Sequence, residues 1–143
     1  MRYDSIIFDL DGTLWDMSSS EDMYPGVGLG LQMLARKHPL YIVSNCPKGY
    51  IEKFYRISGL GLLFKDQECY GNTGEMKAHN IKLVIERNQL KRPIYVGDTV
   101  GDGRAARACG IPFVHVRYGY ALEAECEFAA QSFEEVVGYL LIP

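Results

Sequence analysis

The sequence predicts an α/β fold of three layers, a five-stranded parallel sheet with helices on both faces. Three observations carry that expectation. The runs Ile6-Ile7-Phe8, Leu40-Tyr41-Ile42-Val43, Ile94-Tyr95-Val96 and Phe113-Val114-His115-Val116 are almost continuously apolar, as in strands buried on both sides. Segments with helical spacing of apolar residues separate them, the pattern of right-handed βαβ units. Polar residues then follow the runs at Asp9, Asp11, Ser44 and Asp98, always at the carboxyl end of a strand, where open parallel sheets bind ligands. With 143 residues, 48% hydrophobic and 23% charged, the chain fits a single domain over 1–143.

Tyr3 to Phe8 is the first strand, and it runs into Asp9-Leu10-Asp11-Gly12-Thr13-Leu14. Side chains two apart on an extended backbone point the same way, so Asp9 and Asp11 can face one pocket before the chain turns at Gly12. Two carboxylates in one pocket repel, which calls for a divalent cation or a shared proton. The plainer alternative is an Asp-Gly turn whose acids bond the backbone. Trp15 to Tyr24 is polar, with Ser18, Ser19 and Ser20 among Asp16, Glu21 and Asp22, and reads as a loop. Pro25-Gly26 opens a helix with Val27, Leu31 and Leu34 on one face and Lys37 and His38 at its end. The Gly26-x-Gly28-x-Gly30 repeat is a weak dinucleotide fingerprint, because no strand precedes it.

Leu40 to Val43 is the second strand and delivers Ser44 and Asn45. Pro47 begins a helix with Ile51, Phe54, Tyr55 and Ser58 on one side, closed by Gly59. Glu68-Cys69-Tyr70 is a third strand. A helix from about Glu75 to Asn88 has Ala78, Ile81, Val84 and Ile85 as its apolar stripe. Lys77 in its first turn opposes the helix dipole, so it either faces solvent or answers an anion. Ile94 to Val96 is the fourth strand and ends in Asp98-Thr99-Val100-Gly101-Asp102. Arg104 to Cys109 forms a short helix before the fifth strand, Phe113 to Val116. His115 reads as a core or sheet-edge histidine, whereas His38 and His79 read as helix-surface residues. Ser132-x-x-Glu135 is a capping-box pattern before a helix carrying Val136, Val137, Leu140 and Leu141.

A net charge of −3 argues against a general nucleic-acid binder. Cys46, Cys69, Cys109 and Cys126 show no paired or zinc-site spacing and read as reduced thiols of a cytoplasmic protein. Neither a signal-peptide core nor an apolar run near the ~20 residues of a membrane span is expected.

Taken together, a carboxylate that can attack, a second acid for proton transfer, acids for a hard cation, and a hydroxyl with an ammonium for an anion make a phosphoryl-transfer set. In these motifs the sequence resembles the haloacid dehalogenase superfamily, a phosphoglycolate-phosphatase-like core. Asp9-Leu10-Asp11-Gly12-Thr13, Ser44-Asn45, Lys77 and Gly97-Asp98 with Asp102 carry the likeness.

The resemblance implies a Rossmann-like core and a Mg²⁺-dependent phosphatase. Asp9 would be the nucleophile, Asp11 the general acid and base, and Ser44 and Lys77 the holders of the phosphoryl oxygens. Mg²⁺ would be bound by Asp9, the Asp11 carbonyl and Asp98, with Asp102 in or near its outer shell, and Gly12, Thr13 and Asn45 would bind substrate. Residues 15–43, 29 in all, leave no room after the first motif for the cap that such relatives insert. A second implied class is therefore a phosphate-binding or regulatory module with weak turnover. Partners implied are a phosphorylated small molecule, a larger phospho-substrate, or a second copy closing the site, with Tyr50, Phe54, Tyr118 and Tyr120 at the rim.

Overall fold

The computed structural model describes residues 2–16 and 22–143. Its sheet has six parallel strands rather than the expected five: β1 (Ser5–Phe8), β4 (Leu40–Ser44), β5 (Phe64–Cys69), β6 (Pro93–Gly97), β7 (Phe113–Val116) and β8 (Phe128–Ala130). They lie side by side in the order β5-β4-β1-β6-β7-β8. The extra strand, β8, has three residues and sits at the sheet edge, too short for a periodic signal. At the other edge, β5 is longer than the Glu68–Tyr70 stretch expected. Its polar middle, Lys65-Asp66-Gln67, conceals a strand whose acids are paired by Arg87 across to Asp66 and Glu68.

Alternation along the strands builds the two cores. Ile6 and Phe8 of β1 face one apolar layer, and Ile7 faces the other. The first layer holds α1 (Val27–Ala35), α2 (Tyr50–Ser58) and α6 (Phe133–Leu140) through residues such as Leu31, Phe54 and Val136. The second holds α4 (Lys77–Asn88) and α5 (Val100–Ala108) through Ile81, Val84 and Ala106. Burying each such Val, Leu or Ile contributes about 1.5–3 kcal/mol, so both faces are needed to hold the central strands. Gly30 of the glycine repeat packs against α6. A Cβ there would lie 2.7 Å from the Phe133 ring, and the glycine lets α1 approach α6 closely.

Strand β1 is central, and the chain goes outward on one side of it to β4 and β5, then returns past it to β6. That reversal is the switch point at which such sheets bind ligands. Among the described residues, only β2 (Trp15–Asp16) and β3 (Asp22–Met23), an antiparallel pair, lie between β1 and α1. The stretch Trp15–Tyr24, expected as a loop, thus carries strands at Trp15–Asp16 and Asp22–Met23, while residues 17–21, with Ser18, Ser19, Ser20 and Glu21, lie outside the described residues. A short helix, α3 (Tyr70–Thr73), precedes α4.

Two further expectations change. The helix placed over Arg104–Cys109 begins earlier, at Val100, because Thr99 and Asp102 form a complete capping box that offsets the glycines in the first turn. His38 is buried rather than on a helix surface, since α1 stops at Ala35 and His38 lies in the turn beyond it. His79 is exposed as expected, and the hydroxyl of Ser132 caps Glu135 N–H. All four cysteines are free thiols, and among the described residues no helix is long and apolar enough to cross a membrane.

Candidate active site

The ends of β1 and β6 lie side by side, Phe8 opposite Val96, so the residues just beyond them meet. Asp9 N–H donates to the Val96 carbonyl at 2.9 Å and extends the ladder by one step. The carboxylates of Asp9, Asp98 and Asp102 converge there, with one oxygen from each within 4.8 Å of the others. All three residues are buried.

Lys77, the first residue of α4, reaches this cluster from the helix layer it shares with α5. Its ammonium donates to Asp9 Oδ1 at 3.0 Å and pairs with Asp102. Of the two readings its position allowed, the structure shows the one in which it answers anions. Burial opposes the lysine's charge, but Asp9 and Asp102 outweigh it and raise its pKa. Even so, the cluster holds three carboxylates and the ammonium pairs with two of them. Burial drives the Asp9 carboxyl well above its usual range against the pull of Lys77, and Asp102 and Asp98 push the same way. Asp98 is raised too, first by burial and then by Asp102, with the Tyr120 N–H opposing.

Each acid is held by a different device. Asp98 Oδ1 accepts from the Thr13 hydroxyl at 3.3 Å, and Oδ2 accepts from Tyr120 N–H at 2.8 Å. Asp102 Oδ2 accepts from the N–H groups of Asp98 and Thr99 at 3.0 and 3.1 Å, so the helix cap also orients the acid. Gly12 adopts φ +82°, and a Cβ there would lie 2.2 Å from Asp98 Oδ2, so the turn and the acid fit together only with glycine.

Asp11 is placed differently from Asp9. Its carboxylate stands outside the three-acid cluster, and Oδ1 accepts from Trp15 Nε1 at 3.0 Å and from the Tyr50 hydroxyl at 2.6 Å. The backbone is not extended here: the Leu10 carbonyl accepts from Thr13, Leu14 and Trp15 N–H, and this turn separates the two carboxylates that plain alternation would align. Tyr50 has a raised pKa, from burial and from Asp11 as bond partner and neighbouring charge, which keeps it a protonated donor.

The remaining expected residues lie at the strand ends. Ser44 ends β4 and is buried, with no hydrogen bond to the acids or Lys77 among the described residues, and Asn45 beside it is exposed. Thr13 is buried and directs its hydroxyl to Asp98, while its carbonyl accepts from the Tyr118 hydroxyl at 2.6 Å. Of the rim aromatics, Tyr120 is 58% exposed and Tyr50 and Tyr118 are half-buried, whereas Phe54 belongs to the core under Trp15. Sequence reasoning missed His115 as a neighbour of the site. Its Nε2 lies 3.0 Å from the Asp98 carbonyl, and a backbone partner leaves no trace in side-chain pattern.

No family model matches the chain. It is 34% identical over 104 residues to the plasmid phosphoglycolate phosphatase of Cupriavidus necator, covering 69% of this chain and 45% of that protein. To the phosphoglycolate phosphatase of Rhodobacter capsulatus it is 32% identical over 123 residues, covering 82% and 55%. The chain thus spans about half the length of the curated relatives it matches. Among solved structures, a haloacid dehalogenase-like hydrolase of Streptococcus pneumoniae superposes with TM-score 0.88 at 19% identity, covering 97% of this chain and 99% of that one. A haloacid dehalogenase hydrolase of Bacillus subtilis, bound to magnesium, gives 0.85 at 16%, covering 99% and 100%. At those identities the structures speak for the fold, and the curated relatives speak for the lineage. By sequence the chain is similar to phosphoglycolate phosphatases, and its core has the fold of haloacid dehalogenase-like hydrolases.

Proposed function

We propose that this chain is a Mg²⁺-dependent phosphatase that hydrolyses phosphomonoesters through an aspartyl-phosphate on Asp9. The observation that carries the reading is the convergence of Asp9, Asp98 and Asp102, with the Lys77 ammonium paired to Asp9 and Asp102. The donor set suits the ion: all-oxygen, anionic and buried, it favours a hard divalent cation over a soft one. Asp9, Asp98 and the Asp11 carbonyl would hold Mg²⁺, with Asp102 behind them. Bound there, Mg²⁺ supplies positive charge against the phosphoryl oxygens.

In the first half-reaction an Asp9 carboxylate oxygen attacks phosphorus, and the bond to the ester oxygen breaks as Asp11 delivers its proton to that leaving oxygen. In the second, Asp11 takes a proton from water, which attacks phosphorus and releases phosphate from Asp9. Lys77 neutralises Asp9 and would pair with the transferring oxygens. Ser44, Gly12, Thr13 and Asn45, which end or follow β1 and β4, would bind the substrate's phosphate end. The substrate is a phosphorylated small molecule or a larger phospho-ligand, with a second copy of the chain as another possible cover for the open rim.

The test is release of phosphate from p-nitrophenyl phosphate with Mg²⁺ and with excess chelator, on wild type and Asp9→Asn. Turnover that needs Mg²⁺ and is lost in Asp9→Asn is expected. Full activity in chelator would refute the metal assignment. Mg²⁺ binding without any turnover would favour the phosphate-binding module instead.

A further inference from the structure

We propose that Tyr50, supported by Trp15, is a positioning residue that fixes the proton-transfer geometry of Asp11. This rests on the assignment of Asp11 as acid and base above. Both bonds to the Asp11 side chain land on the same oxygen, Oδ1, and among the described residues Oδ2 accepts none. One oxygen is therefore anchored while the other stays available to a leaving group or a water.

The anchors are themselves fixed. Trp15 is fully buried, its ring 5.1 Å from Phe54 edge-on and 5.6 Å from the Tyr50 ring. Tyr50 is the first residue of α2, on the same apolar layer as Phe54 and Ile51. A carboxylate on a turn has two soft side-chain torsions, and holding it in one rotamer before substrate arrives removes an ordering cost from the reaction. Tyr50 lies 39 residues from Asp11 in the chain and comes from the helix after β4, so the bond also ties the first motif to the loop that follows Ser44.

General-acid help matters in proportion to how poor the leaving group is. A phenolate such as p-nitrophenolate departs with little protonation, whereas an alkoxide such as that of glycerol must be protonated as it leaves. The experiment compares kcat/KM for p-nitrophenyl phosphate and glycerol 2-phosphate in wild type, Tyr50→Phe, Trp15→Phe and Asp11→Asn. The quantity kcat/KM reports the first phosphoryl transfer, where the leaving group is protonated.

Tyr50→Phe is expected to lower kcat/KM for glycerol 2-phosphate by about tenfold, part of the ~10²–10⁴ that a positioned acid supplies, and to lower that for p-nitrophenyl phosphate by much less. Trp15→Phe should shift the ratio in the same direction. Equal losses on both substrates, or no loss on either, would overturn the positioning role. Asp11→Asn separates the two ideas. If it spares glycerol 2-phosphate, the assignment of Asp11 fails and this inference falls with it; if it abolishes that activity while Tyr50→Phe leaves the substrate ratio at the wild-type value, only the role of Tyr50 is refuted. Thermal melts of each variant guard against misfolding, and a Tyr50→Phe protein melting within a few degrees of wild type with an unchanged ratio also counts against the proposal.

Discussion

Lys77 donates to Asp9 at 3.0 Å across the gap between α4 and the end of β1, two elements joined by no backbone hydrogen bond at that point. The same ammonium pairs with Asp102, so one cation compensates two buried acids belonging to different elements. Removing a partner from a buried ion pair leaves charge unpaired, at a cost of about 3–5 kcal/mol. Lys77→Met is therefore expected to lose roughly 3 kcal/mol of unfolding free energy at pH 8 without metal. The loss should shrink toward pH 5, because the freed carboxylates can take up protons there. Urea unfolding at the two pH values checks both statements, and a pH-independent loss would contradict the electrostatic cause.

A second prediction uses Asp98, whose folded-state pKa is raised above the ordinary 3.8 by burial first. A carboxyl raised on folding destabilises the folded state: the penalty is absent below the unfolded pKa, grows as pH rises through the window between the two values, and is constant above the folded one. Asp98→Asn removes that penalty while keeping an oxygen for Thr13 or Tyr120. Its metal-free melting temperature at pH 8 is expected to match or exceed wild type. Wild type should gain several degrees from millimolar Mg²⁺, more at pH 8 than at pH 5, and the variant should gain little. Scanning calorimetry with and without the ion reads both effects, and an undiminished Mg²⁺ response in Asp98→Asn would remove it from the ligand set.

The parts of the fold and site differ in how legible they are in sequence. Strands β1, β4, β6 and β7 are apolar on both faces because helices cover both faces, so their residues and the acids after them stand out. Edges obey other rules. In β5 the polar Lys65, Asp66 and Gln67 satisfy an open flank, and Arg87, Asn88 and Tyr55 meet two of them from neighbouring helices, contacts that no periodicity encodes. The motif acids and Lys77 were readable as residue types in order, but the split between Asp9 and Asp11 was not, because it depends on the Leu10 carbonyl closing a turn. Tyr50 was visible only as a rim aromatic, since its hydroxyl's partner is set by tertiary packing.

Gly12 supports a third prediction. Its φ of +82° places any side chain in a conformation costing about 1–2 kcal/mol, and a Cβ would also press on Asp98 Oδ2 at 2.2 Å. Gly12→Ala should therefore lower stability by at least that amount. It should also weaken Mg²⁺ binding, because Asp98 must move to admit the methyl group. Isothermal titration with Mg²⁺ and chemical unfolding give the two numbers, and normal Mg²⁺ affinity would show that Asp98 tolerates displacement.

The last prediction concerns selectivity. Among the described residues only the β2–β3 pair lies between Leu14 and α1, and residues 15–26 are too few for a helical domain that could close over the leaving group. The contacts left to a substrate beyond its phosphate are those of the rim, chiefly Tyr120, 58% exposed beside Gly12, and the exposed Asn45. Binding energy from remote parts of a substrate is what separates similar small molecules, and one methylene in a closed pocket contributes about 1–3 kcal/mol of discrimination. An open rim forgoes most of that. Across a panel of small phosphomonoesters, including phosphoglycolate and several sugar phosphates, kcat/KM should span less than about a hundredfold, with KM near or above the upper end of the usual ~1 μM–1 mM range. The panel is to be run on a protein shown to be monomeric, and repeated at concentrations where it associates. If selectivity sharpens only on association, a second copy is acting as the cover. If the monomer already shows micromolar KM and strong preference for one small substrate, the core itself selects, and the open-rim explanation is wrong.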